Sequence, residues 1–250
     1  MAAMKKRKPK KTVRAKPVTL PPVAFEGFGQ KAMKFLKELE KHNERDWFEA
    51  NKERYEALVR EPALAFIRAM EPKLEKLSEH LVADDRKVGG SLMRVYRDTR
   101  FSKDKTPYKT NIGIQFRHEL GKDVHAPGCY VHLAPDGCFL GMGMWHPDSA
   151  SLKAIRAKIE AEPERWTKII TSEKLTKHWR QSGESLKRAP KGYDPDHPMI
   201  EQLNLKDHIL VSDLTKKETT SPELVTLATE SFRAAADHMR FLCEAIDVPF

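Results

Sequence analysis

The chain has 250 residues, 40% hydrophobic and 32% charged, with a formal net charge of +9. That length and apolar content suit one large globular domain or two small ones and exclude a disordered chain. No apolar run approaches the roughly 18–20 residues that cross a bilayer, and Pro17, Pro21 and Pro22 interrupt the apolar stretch that follows the basic N-terminus. The expectation is therefore a soluble protein with neither signal peptide nor membrane span. Three cysteines, Cys129, Cys138 and Cys243, are too few and too odd for a disulfide framework and suit a reducing, cytoplasmic setting.

The charge is unevenly placed. Residues 1–24 hold eight Lys/Arg and no acid, which leaves 37 bases against 36 acids in the rest. The excess belongs to a tail that is expected to be disordered, with the folded domain spanning 25–250. The string KKRKPKK is either a solubilising extension or a contact for polyanions; in a eukaryotic host it would read as a nuclear address.

In chain order, Ala32, Met33, Phe35, Leu36 and Leu39 follow helical spacing. Asp46 is the expected N-cap of a helix opening at Trp47, whose Trp47, Phe48, Tyr55, Leu58 and Val59 face inward. Trp47, Phe48 and Tyr55 read as core, with Trp47 also able to wall a pocket. Pro62 should restart a helix that runs to about Leu81. Strands are expected at Leu92–Tyr96 and Asn111–Arg117, then at 129–133 and 138–144 around the turn Ala134-Pro135-Asp136-Gly137. Gly141-Met142-Gly143 inside a strand marks close packing. Ser149 should cap a helix to Glu160 with Leu152, Ile155 and Ile159 buried; a short helix covers 163–170 and a last strand 208–214. Pro222 is expected at the first position of a long C-terminal helix. Consecutive strands between two helical groups argue for an α+β fold: a mostly antiparallel sheet, an N-terminal helical layer and a long C-terminal helix.

The residues that point to function lie in RVYRDTRFSKDKTPYK, 94–109. Six cations, Arg94, Arg97, Arg100, Lys103, Lys105 and Lys109, share sixteen residues with only two acids, Asp98 and Asp104. Guanidinium forks suit bidentate capture of phosphate or carboxylate, and lysines add point charge. The segment is expected to bind an anion, supported by Tyr96, Asp98, Ser102, Asp104 and Tyr108. The competing reading is an internal ion-pair network that stiffens the loop. A second candidate loop, LKRAPKGYDPDHP at 186–198, offers Lys191, Tyr193, Asp194 and His197. Its bland reading is a proline-pinned cover over a sheet edge.

Other constellations carry less. Ser102 and Lys105 match S-x-x-K, but Pro107 follows and the partner motifs of that serine chemistry are missing. His125, Cys129, His132, Cys138 and His146 are zinc-type ligands at the wrong spacing: Cys129 and His132 face opposite ways on one strand. Across the hairpin Cys129 should face about Met142, not Cys138. No metal site is expected, and no residue set specifies a reaction or a cofactor.

The strings FLKEL (35–39), NERDWFEANKERY (43–55), RVYRDTRFSKDKTPYK (94–109), PGCYVHL (127–133) and PKGYDPDHP (190–198) together resemble a widespread family of bacterial and fungal proteins, domain of unknown function 2461. The resemblance runs from about Phe25 to the C-terminus and leaves out the basic tail. It implies one intact domain whose signatures are the basic segment and the PKGYD segment. It implies no activity. Two functions follow as expectations. One is a site for a phosphate-bearing or other anionic small molecule, formed by segments 94–109 and 186–198, with or without catalysis. The other is a nucleic-acid-binding module that uses the basic segment and the tail. The near-neutral body favours the first.

Overall fold

A computed structural model describes residues 24–121 and 125–250. The basic tail, but for Ala24, lies outside the described residues. Phe25 and Phe28 enter the core at once. Their rings meet edge-on at 5.2 Å, and Phe25 meets Phe66 at the same distance. Helix α1 (Gln30–Lys41) buries Ala32, Phe35, Leu36 and Leu39, one stripe at the expected spacing.

Helix α2 spans Arg45–Ala50, with Glu44 at the N-cap and Asp46 in the first turn. Asp46 therefore serves the positive helix end rather than capping it. Helix α3 (Lys52–Tyr55), a π-helical turn (Glu56–Arg60) and α4 (Glu61–Leu77) follow without a break. Pro62 stands in the first turn of α4 as expected, but nothing restarts there. Pro62 lacks an N–H and would crowd the Leu58 carbonyl in a regular ladder; the wider turn just before it relieves both. The helix ends at Leu77, not at Leu81, because Leu81–Val82 forms strand β1.

The sheet has six antiparallel strands in the order β1-β2-β3-β4-β6-β5. Strands β2 (Ile112–His118), β3 (Gly128–Leu133) and β4 (Cys138–Met144) form a meander. Leu133 pairs with Cys138 across the expected turn, and Cys129 pairs with Met142. Beyond β4 the chain forms α5 (Ser149–Ala161), α6 (Pro163–Ile170) and α7 (Glu173–Thr176). The Asp148 carboxylate accepts the Ser151 N–H at 2.7 Å, so Asp148 caps α5 and Ser149 is its first residue. Strand β5 (Arg180–Ser182), short and polar, pairs with the outer edge of β6 (His208–Leu214).

Helix α8 (Ile200–Leu203) precedes β6, and α9 (Lys216–Thr220) follows it with a Thr215/Glu218 capping box. The expected single C-terminal helix is two, α10 (Leu224–Ala234) and α11 (Ala236–Ala245), broken at Ala235. Pro222 lies in the turn before α10, outside the helix.

Residues 92–96 are not a strand. They make isolated bridges, Leu92 to Ile114 and Tyr96 to Tyr108. The outer edge of β2 is shared. β1 takes Arg117 and His118, while the Met93 N–H donates to the Gly113 carbonyl at 2.9 Å and the Gln115 N–H to that of Ser91 at 2.9 Å. Past Met93 the chain leaves the edge to form a finger. Its base is closed by Lys109 N–H to the Val95 carbonyl (2.7 Å) and Arg97 N–H to that of Pro107 (2.8 Å).

One sheet face carries Ile112, Ile114, Phe116, Val131, Leu133, Leu140 and Met142, all at most 2% exposed, and packs with residues of α1, α4 and α10. A second cluster centres on Trp166 with Ile155, Ile159, Phe241 and Leu242. Among the described residues no helix is long and apolar enough to cross a membrane.

Candidate functional site

The other face of the sheet carries the alternate residues, and many are glycine. Gly113 on β2, Gly128 on β3, and Gly141 and Gly143 on β4 put no side chain over the strands. The result is a cleft of about 560 Å³ on the open face, within the range of small-molecule sites. Its floor is Tyr130, leaning from β3 over β2. A Cβ on Gly113 would come within 2.8 Å of the Tyr130 Oη and 3.1 Å of the Met93 Sδ, so only glycine leaves that phenol its place.

Tyr130 Oη lies 3.2 Å from His132 Nδ1, and the Asn111 amide approaches the same nitrogen at 3.5 Å. His132 also stacks on Phe139 at 4.6 Å. Burial pushes the Tyr130 phenol up to about 12 and pushes His132 below the ordinary imidazole value, against a weak opposing pull from Asp136. Both groups are therefore neutral near pH 7. A neutral phenol oxygen has two lone pairs, so whichever way the bond to Nδ1 runs, the Tyr130 oxygen keeps one free to accept.

At the same end stands Lys109. It is the one Lys or Arg among the described residues that line the cleft. Burial first, and then the Arg94 charge, push its ammonium below the usual lysine range. An anion beside it would reverse that shift. Ile209 and Val211 of β6 form the wall, and Trp145, 47% exposed, and Ser182 line the opposite end.

The rest of the basic segment points elsewhere. Arg97 pairs with Asp104 and Thr106. Arg100 pairs with Asp98 at 2.7 Å and lies 5.9 Å over Phe101. Lys105 donates to the Thr99 carbonyl at 2.8 Å. Arg100 holds Asp98, and Arg97 with the Thr106 hydrogen bonds holds Asp104, down to about 2. Lys103 and Arg94 are exposed, and Ser102 is half-buried. Tyr108 anchors the finger: it is buried, stacks on Phe48 at 4.1 Å, and its N–H donates to Asn43 at 2.9 Å. Tyr96 packs at its edge, 5.4 Å from the Tyr108 ring. Trp47 is partly buried against the same core.

Asp104 and Asp98 thus hold Arg97 and Arg100, as the competing ion-pair reading expects, but near the surface, with side chains between 28% and 77% exposed. Arg97→Ala is accordingly expected to leave the unfolding midpoint nearly unchanged in moderate salt; a denaturant titration checks this.

Loop 186–198 packs on a different part of the molecule. Tyr193 lies against the Trp166 cluster, and the Arg156 and Glu160 charges of α5 act on it. Asp194 accepts the Asp196 N–H at 2.9 Å, His197 Nδ1 accepts that of Met199 at 3.0 Å, and Lys191 is exposed. Cys129, Cys138 and Cys243 are buried free thiols. Among the described residues, no group of three or more His, Cys, Asp or Glu is placed to hold a metal ion.

The family model described as a conserved hypothetical protein (DUF2461) matches residues 31–241. The chain belongs to this family. No curated protein and no solved structure matches it significantly. For this DUF2461 chain, then, the site must be read from its own geometry. The sequence marks Lys109 and Arg94 within the basic segment, but not the cleft that Lys109 enters. The signal was present in the alternation. If Ile112, Ile114 and Phe116 face the core, Gly113 and Gln115 face out, and so do Tyr130, His132, Gly141 and Gly143 on the neighbouring strands.

Proposed function

We propose that this protein binds a small, largely apolar molecule that carries a carboxylate or phosphate. The body of the ligand lies in the sheet-face cleft and its anion meets Lys109. The carrying observation is one half-buried lysine, its ammonium already depressed, at the end of an otherwise uncharged cleft of about 560 Å³. A buried cation gains from a counter-ion, whereas a well-solvated one gains little. Arg94 adds to the field at that end. Arg97, Arg100, Lys103 and Lys105 attract anions at longer range. Tyr130 offers its oxygen to a donor on the ligand. Lys191, Tyr193, Asp194 and His197 have no part in this reading.

One observation favours nucleic acid instead. Phe101 is 95% exposed at the tip of the finger, among Arg100, Lys103 and Lys105, and an exposed ring with cations suits stacking on single-stranded bases.

Thermal unfolding with octanoate, phenyl phosphate, inorganic phosphate and a short oligonucleotide at matched ionic strength separates these readings. At a hundredfold excess over Kd, a native-state ligand adds about 2.7 kcal/mol. The expected gain comes from octanoate or phenyl phosphate and is lost in Lys109→Met and in Gly141→Val, whose methyls enter the cleft. A gain from inorganic phosphate or the oligonucleotide that survives both substitutions but is lost in Arg97→Ala or Phe101→Ala would place the ligand on the finger.

A further inference from the structure

Asp207, immediately before β6, is 1% exposed and accepts from two loops. Its Oδ1 takes the His146 N–H at 2.7 Å, and its Oδ2 takes the Glu184 N–H at 2.9 Å. The same Oδ1 lies 3.0 Å from His146 Nδ1. Gly183 permits this approach: a Cβ there would stand 2.5 Å from that of Asp207. A buried carboxylate bonded to Nδ1 fixes the imidazole with its proton on that nitrogen and its lone pair on Nε2. That is the arrangement of an oriented general base.

His146 carries two further marks. Its backbone has φ +47°, the left-handed region that non-glycine residues enter at a cost and that clusters at functional sites. Its side chain is 44% exposed, so solvent reaches the ring that Asp207 holds from inside.

The dyad adjoins the cleft. The His146 ring is 4.2 Å from that of Trp145, which lines the cleft, and Ser182, which also lines it, precedes Gly183. Strand register sets the other dimension. Lys109 precedes Ile112, which pairs with Leu133 and through it with Cys138; His146 follows Met144 at the opposite end of β4. From Phe139 to Gly143 the floor extends roughly 13 Å at about 3.3 Å per residue. An anion site thus stands at one end of an apolar cleft, and a wet base stands just outside the other, against the lining residue Trp145.

We infer that Asp207 and His146 make this cleft the active site of an esterase for elongated apolar esters with an anionic terminus; this rests on the cleft reading above. His146 Nε2 takes a proton from water as the water oxygen bonds to the acyl carbon. The carbonyl π pair moves onto its oxygen. When that pair returns, the acyl C–O bond breaks, and the leaving alkoxide takes the proton from the imidazolium. One water is consumed, one acid and one alcohol form, and Asp207 stays ionised. A base at the solvent-exposed mouth, with the apolar body of the substrate inside, fits water as the attacking species.

The probe is the mono-p-nitrophenyl ester of dodecanedioic acid, with dodecanedioic acid itself as the unreactive binder. The wild type should release p-nitrophenolate, and His146→Gln should lose at least about 100-fold in kcat while keeping its unfolding midpoint. The pH profile of kcat/KM should rise on one ionisation that the variant lacks. Lys109→Met should raise KM and spare kcat. If dodecanedioic acid raises the midpoint but the wild type hydrolyses no faster than buffer, or His146→Gln keeps the rate, the dyad has no catalytic role and the cleft reading stands. If neither dodecanedioic acid nor octanoate raises the midpoint, both readings fall.

Discussion

Lowering the pH from 7 to 4 is expected to cost this protein on the order of 3–5 kcal/mol of stability, beginning near pH 6.5. Two histidines are the cause. His208 and His238 are each 1% exposed and flank Trp166, at ring distances of 6.0 and 5.3 Å. Neither ring nitrogen of His208, nor Nδ1 of His238, has a hydrogen-bond partner among the described residues.

Burial pushes His208 down to about 4, helped by the Arg156 charge and opposed by Asp207. It pushes His238 down to about 3, with His208 adding to the effect. Both are neutral when folded and gain protons when unfolded. Their stabilising effect is therefore complete above about pH 6.5 and is lost as the pH falls toward 4 and 3. Each pKa unit is about 1.4 kcal/mol; the two sites share part of their shift, so the total is set below the simple sum. The carboxylates act lower down, since Asp98, Asp104 and Glu244 are held at about 2. Denaturant midpoints between pH 7 and 4 for wild type and His238→Leu check this. The variant should show a clearly flatter fall, and a flat wild-type curve would remove the argument.

Gly143→Ala should cost about 3–5 kcal/mol, from backbone strain and overpacking together. Gly143 has φ +134°, and a Cβ there would lie 2.1 Å from the His208 carbonyl oxygen and 3.0 Å from Ile209 Cα. Those are backbone atoms of the paired strand, which cannot step aside without breaking the β4–β6 ladder. Gly141→Ala makes the contrast. Its Cβ would meet Tyr130 at 3.4 Å and the Leu210 carbonyl at 3.9 Å, both ordinary contacts. Urea midpoints of the two variants should differ widely, although the glycines are two residues apart on one strand. Equal, small losses would show that the close approach at Gly143 relaxes.

That contrast bears on what a sequence reveals. Gly141-x-Gly143 reads as close packing, which holds for Gly143. The reason for Gly141 is different: it leaves room on the open face. Strands β2, β3, β4 and β6 and helix α6 were legible because their alternation or capping is strong and local. Strands β1 and β5 were not, since two or three residues at a sheet edge carry no period. The break at Ala235 also leaves no trace, because alanine suits a helix interior.

The site was legible only in part. Density of charge marks segment 94–109, but not which cations spend themselves on Asp98 and Asp104 and which one turns into the cleft. That depends on Met93 leaving the sheet edge while Lys109 returns to it, a matter of register with β2. The Asp207–His146 dyad joins residues 61 apart in sequence, and no spacing signals it.

A crystal structure of the protein soaked with phenyl phosphate tests the central claim most directly. The account predicts the ring over Gly141, between Tyr130 and Val211, with the phosphate within hydrogen-bonding distance of Lys109 Nζ. Phosphate bound by Arg97 and Arg100 on the finger, with the sheet face empty, would contradict it.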